Sequence, residues 1–166
     1  MCRSKLPDYY LAGGVITQTI WNHLLDRPLL DQVKDLDVIY FAAETKNKQL
    51  DQEQTLNRYS SHNYPIDLKN QALVHQWYEN KFGLTVDPYQ RVEQGIDTWL
   101  PAFAVGIRKI DQDYQLYAPF GLDDLFNLQV RPNKRAMSKQ NYLKMTASFK
   151  QRWPQITVHD WDNERG

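Results

Sequence analysis

With a single cysteine, Cys2, the chain cannot form an intrachain disulfide, and a reducing compartment is permitted. It has no stretch of about 18 apolar residues, so no membrane span is expected. No apolar run suited to a signal peptide follows Met1, and cytoplasmic residence is the resulting expectation. Neither sign of charge is in excess: 20 basic and 20 acidic side chains give a formal net charge of +0. A protein that grips a long nucleic acid displaces counterions from many phosphates and normally carries a basic surplus. Strong nucleic-acid binding is therefore not expected. The four histidines, His23, His62, His75 and His159, have no zinc-type spacing with one another or with Cys2. Repeats, low-complexity stretches and composition shifts are lacking as well, which leaves residues 1–166 as a single domain.

What the chain does have is material for a core. Hydrophobic residues make up 42%, among them five Trp, ten Tyr and six Phe. Tyr9-Tyr10-Leu11-Ala12 reads as a short strand running into the Gly13-Gly14 turn. Val15, Ile16, Thr19, Ile20, His23 and Leu24 recur at helical spacing, so a helix spans about Val15 to Leu25 and ends at Arg27-Pro28. Asp35 to Phe41 is rich in β-formers and reads as a buried strand. Residues 45–59 fit a solvated helix, and Tyr64 to Leu68 a second strand. Gln71 to Phe82 carries Leu73, Val74, Trp77, Tyr78 and Phe82 at helical spacing, with Gly83 as its C-terminal cap. Asp87-Pro88 offers an N-cap and a first helical residue for another short helix. Apolar runs on either side of Asp111-Gln112-Asp113 predict a β-hairpin, and Gly121–Val130 and Arg135–Trp153 read as two closing helices. One α+β domain accounts for this order.

Carboxylates at positions i and i+2 of a strand point to the same face, about 6.6–6.8 Å apart along the backbone. Their oxygens can converge on a divalent ion, and Mg²⁺ prefers such donors, filling its other positions with water and substrate phosphate. The bare Asp-x-Asp pattern is a weak signal. Asp35/Asp37, Asp111/Asp113 and Asp160/Asp162 all satisfy it. The second lies in a hairpin turn, where Asp is favoured for turn chemistry alone, and the third in a solvated tail. Only Asp35/Asp37 lies in an apolar strand, where a charge is costly unless paired or metal-bound. Gly13-Gly14, just ahead of a helix, lets backbone N–H groups approach a phosphate; a tight turn with no ligand is the plainer alternative. Asp67, between Ile66 and Leu68, faces away from the core side and joins Asp35 and Asp37 if its strand lies beside theirs.

The order Leu11-Ala12-Gly13-Gly14, helix, Asp35-Leu36-Asp37-Val38, then a later strand with Asp67, resembles the DNA polymerase β-like nucleotidyltransferase superfamily. The blocks Leu6–Gly14, Gln18–Asn22, Lys34–Phe41, Asp67–Ala72 and Tyr117–Phe126 are similar to those of a bacterial family of small stand-alone nucleotidyltransferase-like proteins, long labelled a domain of unknown function. The resemblance implies a mixed β-sheet flanked by helices, with Mg²⁺ (or Mn²⁺) held by Asp35, Asp37 and Asp67. It also implies NTP phosphates near Gly13 and Gly14, with substrate contacts from Lys69, Asn70 and Arg108. The activity implied is transfer of a nucleotidyl group to an acceptor hydroxyl on a small molecule, a protein side chain or an RNA end, with Asp67 nearest the attacking hydroxyl. The alternative is a catalytically degenerate nucleotide-binding or regulatory module of the same fold. His75 follows the Lys69-Asn70-Gln71 block and could approach such a site; a satisfied polar group beside the core is the plainer reading. Trp21, Trp77, Trp99 and Trp153 read as packing residues. Lys134, Arg135, Lys139, Lys144, Lys150 and Arg152 make a basic, solvated C-terminal face.

Overall fold

A computed structural model describes residue 6 and residues 8–43 and 64–163. Strand β1 (Tyr10–Ala12) leads through Gly13 into helix α1 (Gly14–Leu24), and β2 (Leu36–Tyr40) and β3 (Ile66–Asn70) follow. Helix α2 (Val74–Phe82) comes next, preceded by a 3₁₀ turn over Gln71–Leu73, and then the one-turn helix α3 (Glu93–Ile96). The hairpin strands β4 (Gly106–Ile110) and β5 (Asp113–Tyr117) precede the one-turn helix α4 (Asp123–Phe126). Strand β6 (Gln129–Val130), helix α5 (Lys139–Arg152) and strand β7 (Thr157–Val158) complete the chain. The main sheet has the order β3-β2-β1-β4-β5. Only β2 and β3 pair in parallel; the other neighbours are antiparallel, so the sheet is mixed and the architecture α+β. Strands β6 and β7 form a separate parallel pair.

Two apolar cores hold these layers. One lies on a face of the sheet, where Tyr10, Ala12 and Ile39 meet Val92, Ile96 and Ala104. The other gathers Trp21 of α1, Tyr142 and Phe149 of α5, Phe103 and Trp153. Trp21 and Trp153 are fully buried and meet edge-on at 5.7 Å between ring centroids, so the packing assignment for these two holds. Each indole N–H is satisfied, Trp21 by the Leu125 carbonyl and Trp153 by the Asn22 side chain. No described helix is long and apolar enough to cross a membrane.

Several expected elements differ. The helix expected from Asp87-Pro88 does not form; the first helical turn in that stretch is Glu93–Ile96. Tyr89 is drawn toward a cavity instead, and the Gln90 amide is captured by the Gln94 side chain at 2.5 Å. Only four residues of the expected Gly121–Val130 helix are helical. Leu128 takes a positive φ of 55°, and the next two residues pair with β7. The last long helix begins at Lys139 rather than Arg135, because Ser138 caps it by accepting from the Asn141 amide. The Asp111-Gln112 hairpin turn is as expected, with Asp111 at a φ of 53°, and Gly83 ends α2 in the left-handed region. The helix expected over 45–59 lies outside the described residues.

Candidate functional site

Parallel pairing fixes the register of the two acidic strands. Asp37 lies directly opposite Asp67, and Ile39 opposite Lys69. Cross-strand neighbours share a sheet face, and so do residues two apart on one strand. Asp37, Asp67 and Lys69 therefore emerge on one face, while Leu68 and Asn70 are buried on the other. Asp35 sits one residue before β2 begins, half-buried like its two partners. One carboxylate oxygen from each of Asp35, Asp37 and Asp67 lies within 4.8 Å of the others. The condition set by the sequence, that Asp67 join the Asp35/Asp37 pair, is met.

Charge in this cluster is under-compensated. Asp37 is pushed up from 3.8 to about 6, first by burial, then by the negative charges of Asp35 and Asp67. Lys69 and Lys81 oppose that rise. The Lys69 ammonium donates to Asp67 Oδ2 at 2.5 Å. Burial works against its charge, but the bond to Asp67 and the surrounding carboxylates outweigh burial and hold its pKa above the ordinary lysine value. Among the described residues, Lys69 is the cation in an ion pair with these carboxylates, and a small divalent ion among three hard oxygen donors supplies the kind of charge they lack.

The glycine turn abuts the same cluster. Gly13 caps α1 with a φ of 65°, and its amide donates to the Val105 carbonyl at 2.9 Å. A Cβ at Gly13 would lie 3.1 Å from the Trp99 ring. A Cβ at Gly14 would lie 3.9 Å from Asp37 Oδ2 and 3.3 Å from the Gln18 side-chain nitrogen. The N-terminus of an 11-residue helix, with its unsatisfied amides and partial positive charge, is therefore beside Asp37. Gly13→Ala combines a left-handed backbone with the contact to Trp99. We expect it to lower stability by about 1–2 kcal/mol, read from a denaturant melt; an unchanged midpoint would show that the turn relaxes freely.

Of the other residues named from the sequence, Lys69 stands in the cluster, while Asn70 and Arg108 do not. Asn70 is 1% exposed. Its side chain accepts from the amides of Ala42 and Ala72 and donates to the Ala42 carbonyl, so it caps the 3₁₀ turn and fastens the end of β2 to β3. Asn70→Ala strands those buried backbone groups. A loss of about 2 kcal/mol is expected in chemical denaturation, with nucleotide affinity per folded molecule unchanged. A selective loss of nucleotide affinity at constant stability would restore the substrate-contact role. Arg108 shares the face of Asp37 but lies on β4, two strand spacings from β2, or roughly 9–10 Å. Its guanidinium covers the Tyr10 ring at 4.5 Å, donates to Gln115 at 2.7 Å and comes within 4.0 Å of Asp8. His75 does not line the cavity described next, and its buried Nδ1 has no hydrogen-bond partner among the described residues, so it is not the satisfied polar group that the sequence suggests. Lys139 pairs with Asp162 and Lys150 donates to the carbonyls of Pro154 and Ile156, so these members of the basic stretch serve the C-terminal packing.

A cavity of about 240 Å³ opens beside the carboxylates, over the face of the sheet that carries Asp37, Ile39, Asp67 and Lys69. Its remaining walls come from Gln71, from α2 (Val74, Trp77, Tyr78, Lys81, Phe82), from Tyr89, Gly95, Thr98 and Trp99, and from Ala136, Met137, Asn141 and Met145. Two hydrogen bonds hold α2 against the start of α5: Tyr78 Oη to the Ala136 carbonyl, and Asn141 Nδ2 to the Phe82 carbonyl at 3.2 Å. Sequence reasoning missed this set. Trp77 and Trp99 read from the sequence as packing residues, and Trp99 does pack against the sheet core while also lining the cavity; Tyr89 has no role in the sequence reading. Lys81 follows Trp77 by one helical turn and places its ammonium over that ring at 5.7 Å. The available signal was the direct run from Asp67-x-Lys69 into α2, which brings the apolar stripe of that helix over the acidic face.

The chain matches a family model described as Nucleotidyltransferase over residues 1–158. It is similar to a solved NMR structure described as revealing a CCA-adding enzyme head domain, with a TM-score of 0.76 and 27% identity over 94% of this chain and 83% of that one. No curated protein matches it.

Proposed function

This chain belongs to that nucleotidyltransferase family, and on this premise we propose that it moves a nucleotidyl group from an NTP to an acceptor hydroxyl with the help of Mg²⁺. The observation that carries the reading is the convergence of Asp35, Asp37 and Asp67, whose oxygens lie within 4.8 Å of one another on a half-buried, charge-starved face. A degenerate relative has no need to keep three mutually repelling carboxylates together.

The three carboxylates fit a hard divalent cation, Mg²⁺ or Mn²⁺, and would hold it. Such a cation supplies charge neutralisation to the triphosphate and polarises the reacting phosphoryl oxygen. The chain's own residues do the rest. The α1 N-terminus at Gly14 faces the negative phosphates. Lys69, beside Asp67 on β3, contributes a positive charge to the site. Asp67, on the edge strand, receives the proton of the acceptor hydroxyl. The hydroxyl oxygen then forms a bond to the α-phosphorus as the bond from that phosphorus to the oxygen bridging to the β-phosphate breaks, and pyrophosphate leaves on the opposite side. The net charge of +0 favours a small-molecule or protein acceptor over an RNA end.

The test is calorimetric titration of ATP, CTP, GTP and UTP with Mg²⁺ into the wild type and into Asp35→Ala/Asp37→Ala. At least one nucleotide is expected to bind the wild type in a Mg²⁺-dependent way and to lose that dependence in the variant. Failure of every nucleotide to bind the wild type removes the basis of the proposal.

A further inference from the structure

Strand order puts the chemical groups in a sequence across the sheet. The Gly13-Gly14 turn follows β1, Asp37 is on β2 and Asp67 on β3, at the sheet edge. Asp37 therefore stands between the helix N-terminus on one side and Asp67 on the other. The cavity belongs to the second side: Asp37, Asp67 and Lys69 line it, whereas Gly13, Gly14 and Asp35 do not. Trp99 lines the cavity and also meets Gly13, so its indole separates the turn from the cavity. In an in-line displacement the attacking oxygen and the leaving pyrophosphate lie on opposite sides of the reacting phosphorus. With the phosphates at the glycine turn, the cavity lies on the side from which an acceptor approaches.

Size and lining define that group. At about 240 Å³ the cavity is below the range of roughly 300–1,000 Å³ typical of drug-sized ligands. A nucleotide at an RNA end, with base, ribose and phosphate, exceeds it, and Lys69 and Lys81 match the charges of Asp37 and Asp67 in the lining, which leaves no net charge there to attract an ionic group. The walls away from the carboxylates include flat aromatic rings (Trp77, Tyr89, Trp99) and the adaptable side chains of Met137 and Met145, with polar groups from Gln71, Lys81, Thr98 and Asn141 between them. We infer that the acceptor is a free, uncharged small molecule with one planar ring and a hydroxyl on a short arm. The ring lies between the aromatic walls and the hydroxyl points at Asp67. This inference rests on the proposed nucleotidyl transfer. The hydroxyl oxygen becomes the ester oxygen on the α-phosphorus, its proton goes to Asp67, and pyrophosphate is released.

The probe is 4-fluorophenethyl alcohol, followed by ¹⁹F line broadening with the full chain. It is titrated with and without Mg²⁺ and a saturating mixture of the α,β-methylene analogues of ATP, CTP, GTP and UTP, whose binding is measured in the same samples by calorimetry. The probe is expected to bind at millimolar concentration and to stay bound when nucleotide is added. Trp77→Ala should weaken it at least fivefold while keeping a cooperative thermal transition. Met137→Trp, which fills the cavity from the other wall, should abolish binding under the same folding check. In samples that do bind nucleotide, three results overturn the inference while leaving the proposed function standing. They are no probe binding, displacement of the probe by nucleotide (which makes the cavity the base site), and indifference to both substitutions in folded protein. Absence of Mg²⁺-dependent nucleotide binding is instead the failure of the parent reading and takes this one with it.

Discussion

Asp37→Asn should abolish nucleotidyl transfer and, in the same molecule, make the metal-free protein more stable. The loss of activity follows from removing the central carboxylate of the three. A cation interaction worth several kcal/mol in the transition state corresponds to about 10³-fold in rate, read by pyrophosphate release once an acceptor is in hand, or beforehand by loss of Mn²⁺ binding. The gain in stability has a different origin. The folded-state pKa of Asp37 is raised, from 3.8 to about 6, by burial and by the charges of Asp35 and Asp67. Below about pH 4 the group is protonated in both folded and unfolded chains and costs nothing. Between pH 4 and 6 the unfolded chain gives up its proton first, and stability falls as pH rises. Above pH 6 the penalty is complete, on the order of 3 kcal/mol at roughly 1.4 kcal/mol per pH unit. Asparagine has the same shape and carries no charge, so its advantage should grow from pH 4 to pH 7 and then level off. Denaturant melts at pH 4 and pH 7.5 measure this. An advantage that is equal at both pH values would show that the strain at Asp37 is steric, not electrostatic.

Lys69→Met should separate the two things the lysine does. In the metal-free chain its ammonium, 2.5 Å from Asp67, is the nearest compensating charge for the carboxylate cluster among the described residues. Removing it is expected to cost about 1 kcal/mol of stability, since the pair is one-third exposed and partly screened by solvent. Added Mn²⁺ should restore this stability more fully than it stabilises the wild type, because the competing ammonium is gone. Metal affinity should tighten by roughly tenfold, as expected for deleting one positive charge a few ångströms from a half-buried cation site. Nucleotide use should move the other way, with kcat/KM lower by about 10²-fold through the lost attraction to the triphosphate. Calorimetry with Mn²⁺ and steady-state kinetics read the two arms independently. Weaker metal binding in Lys69→Met would mean that the lysine organises the carboxylates and does not compete with the cation.

The carboxylate site was legible in the sequence because each part rests on a short-range rule. Alternation along a strand puts Asp35 with Asp37 and sets Asp67 apart from Leu68, and glycine next to a helix start marks the turn. The fold class was legible from the alternation of strand and helix patterns. What was not legible depends on contacts between distant segments. Arg108 has the same facing as Asp37, but strand order alone separates them, and strand order is not written in local periodicity. The Gly121–Val130 stretch is helical only in part because residues 129 and 130 are claimed by β7, nearly thirty positions later. Trp77 fits the pattern of a core residue because a helical apolar stripe looks the same whether it closes on a core or stops short and leaves a cavity, while Trp99 both packs on the sheet core and lines that cavity. The capping signal at Asp87-Pro88 carries no information about Tyr89, whose place in the cavity wall depends on segments distant in the chain. Asn70 carried a polar side chain in a matching block, and only the burial of that side chain against Ala42 and Ala72 reveals its capping work.

The single parallel pairing in the main sheet has a further consequence for how the protein is assembled. Antiparallel neighbours can be joined by a short turn, whereas β2 and β3 must be brought side by side across a long intervening stretch of chain. Loop closure on that scale costs entropy before any contact repays it. Asp35 and Asp37 are present in the local chain from the outset, but the three-carboxylate cluster exists only after that closure. Cation binding is then a sensor of completed folding: the ion has high affinity only for the finished sheet and, by mass action, draws late-folding molecules toward it. In refolding experiments, Mn²⁺ uptake should lag behind helix formation and coincide with the last step that fixes β3 at the sheet edge.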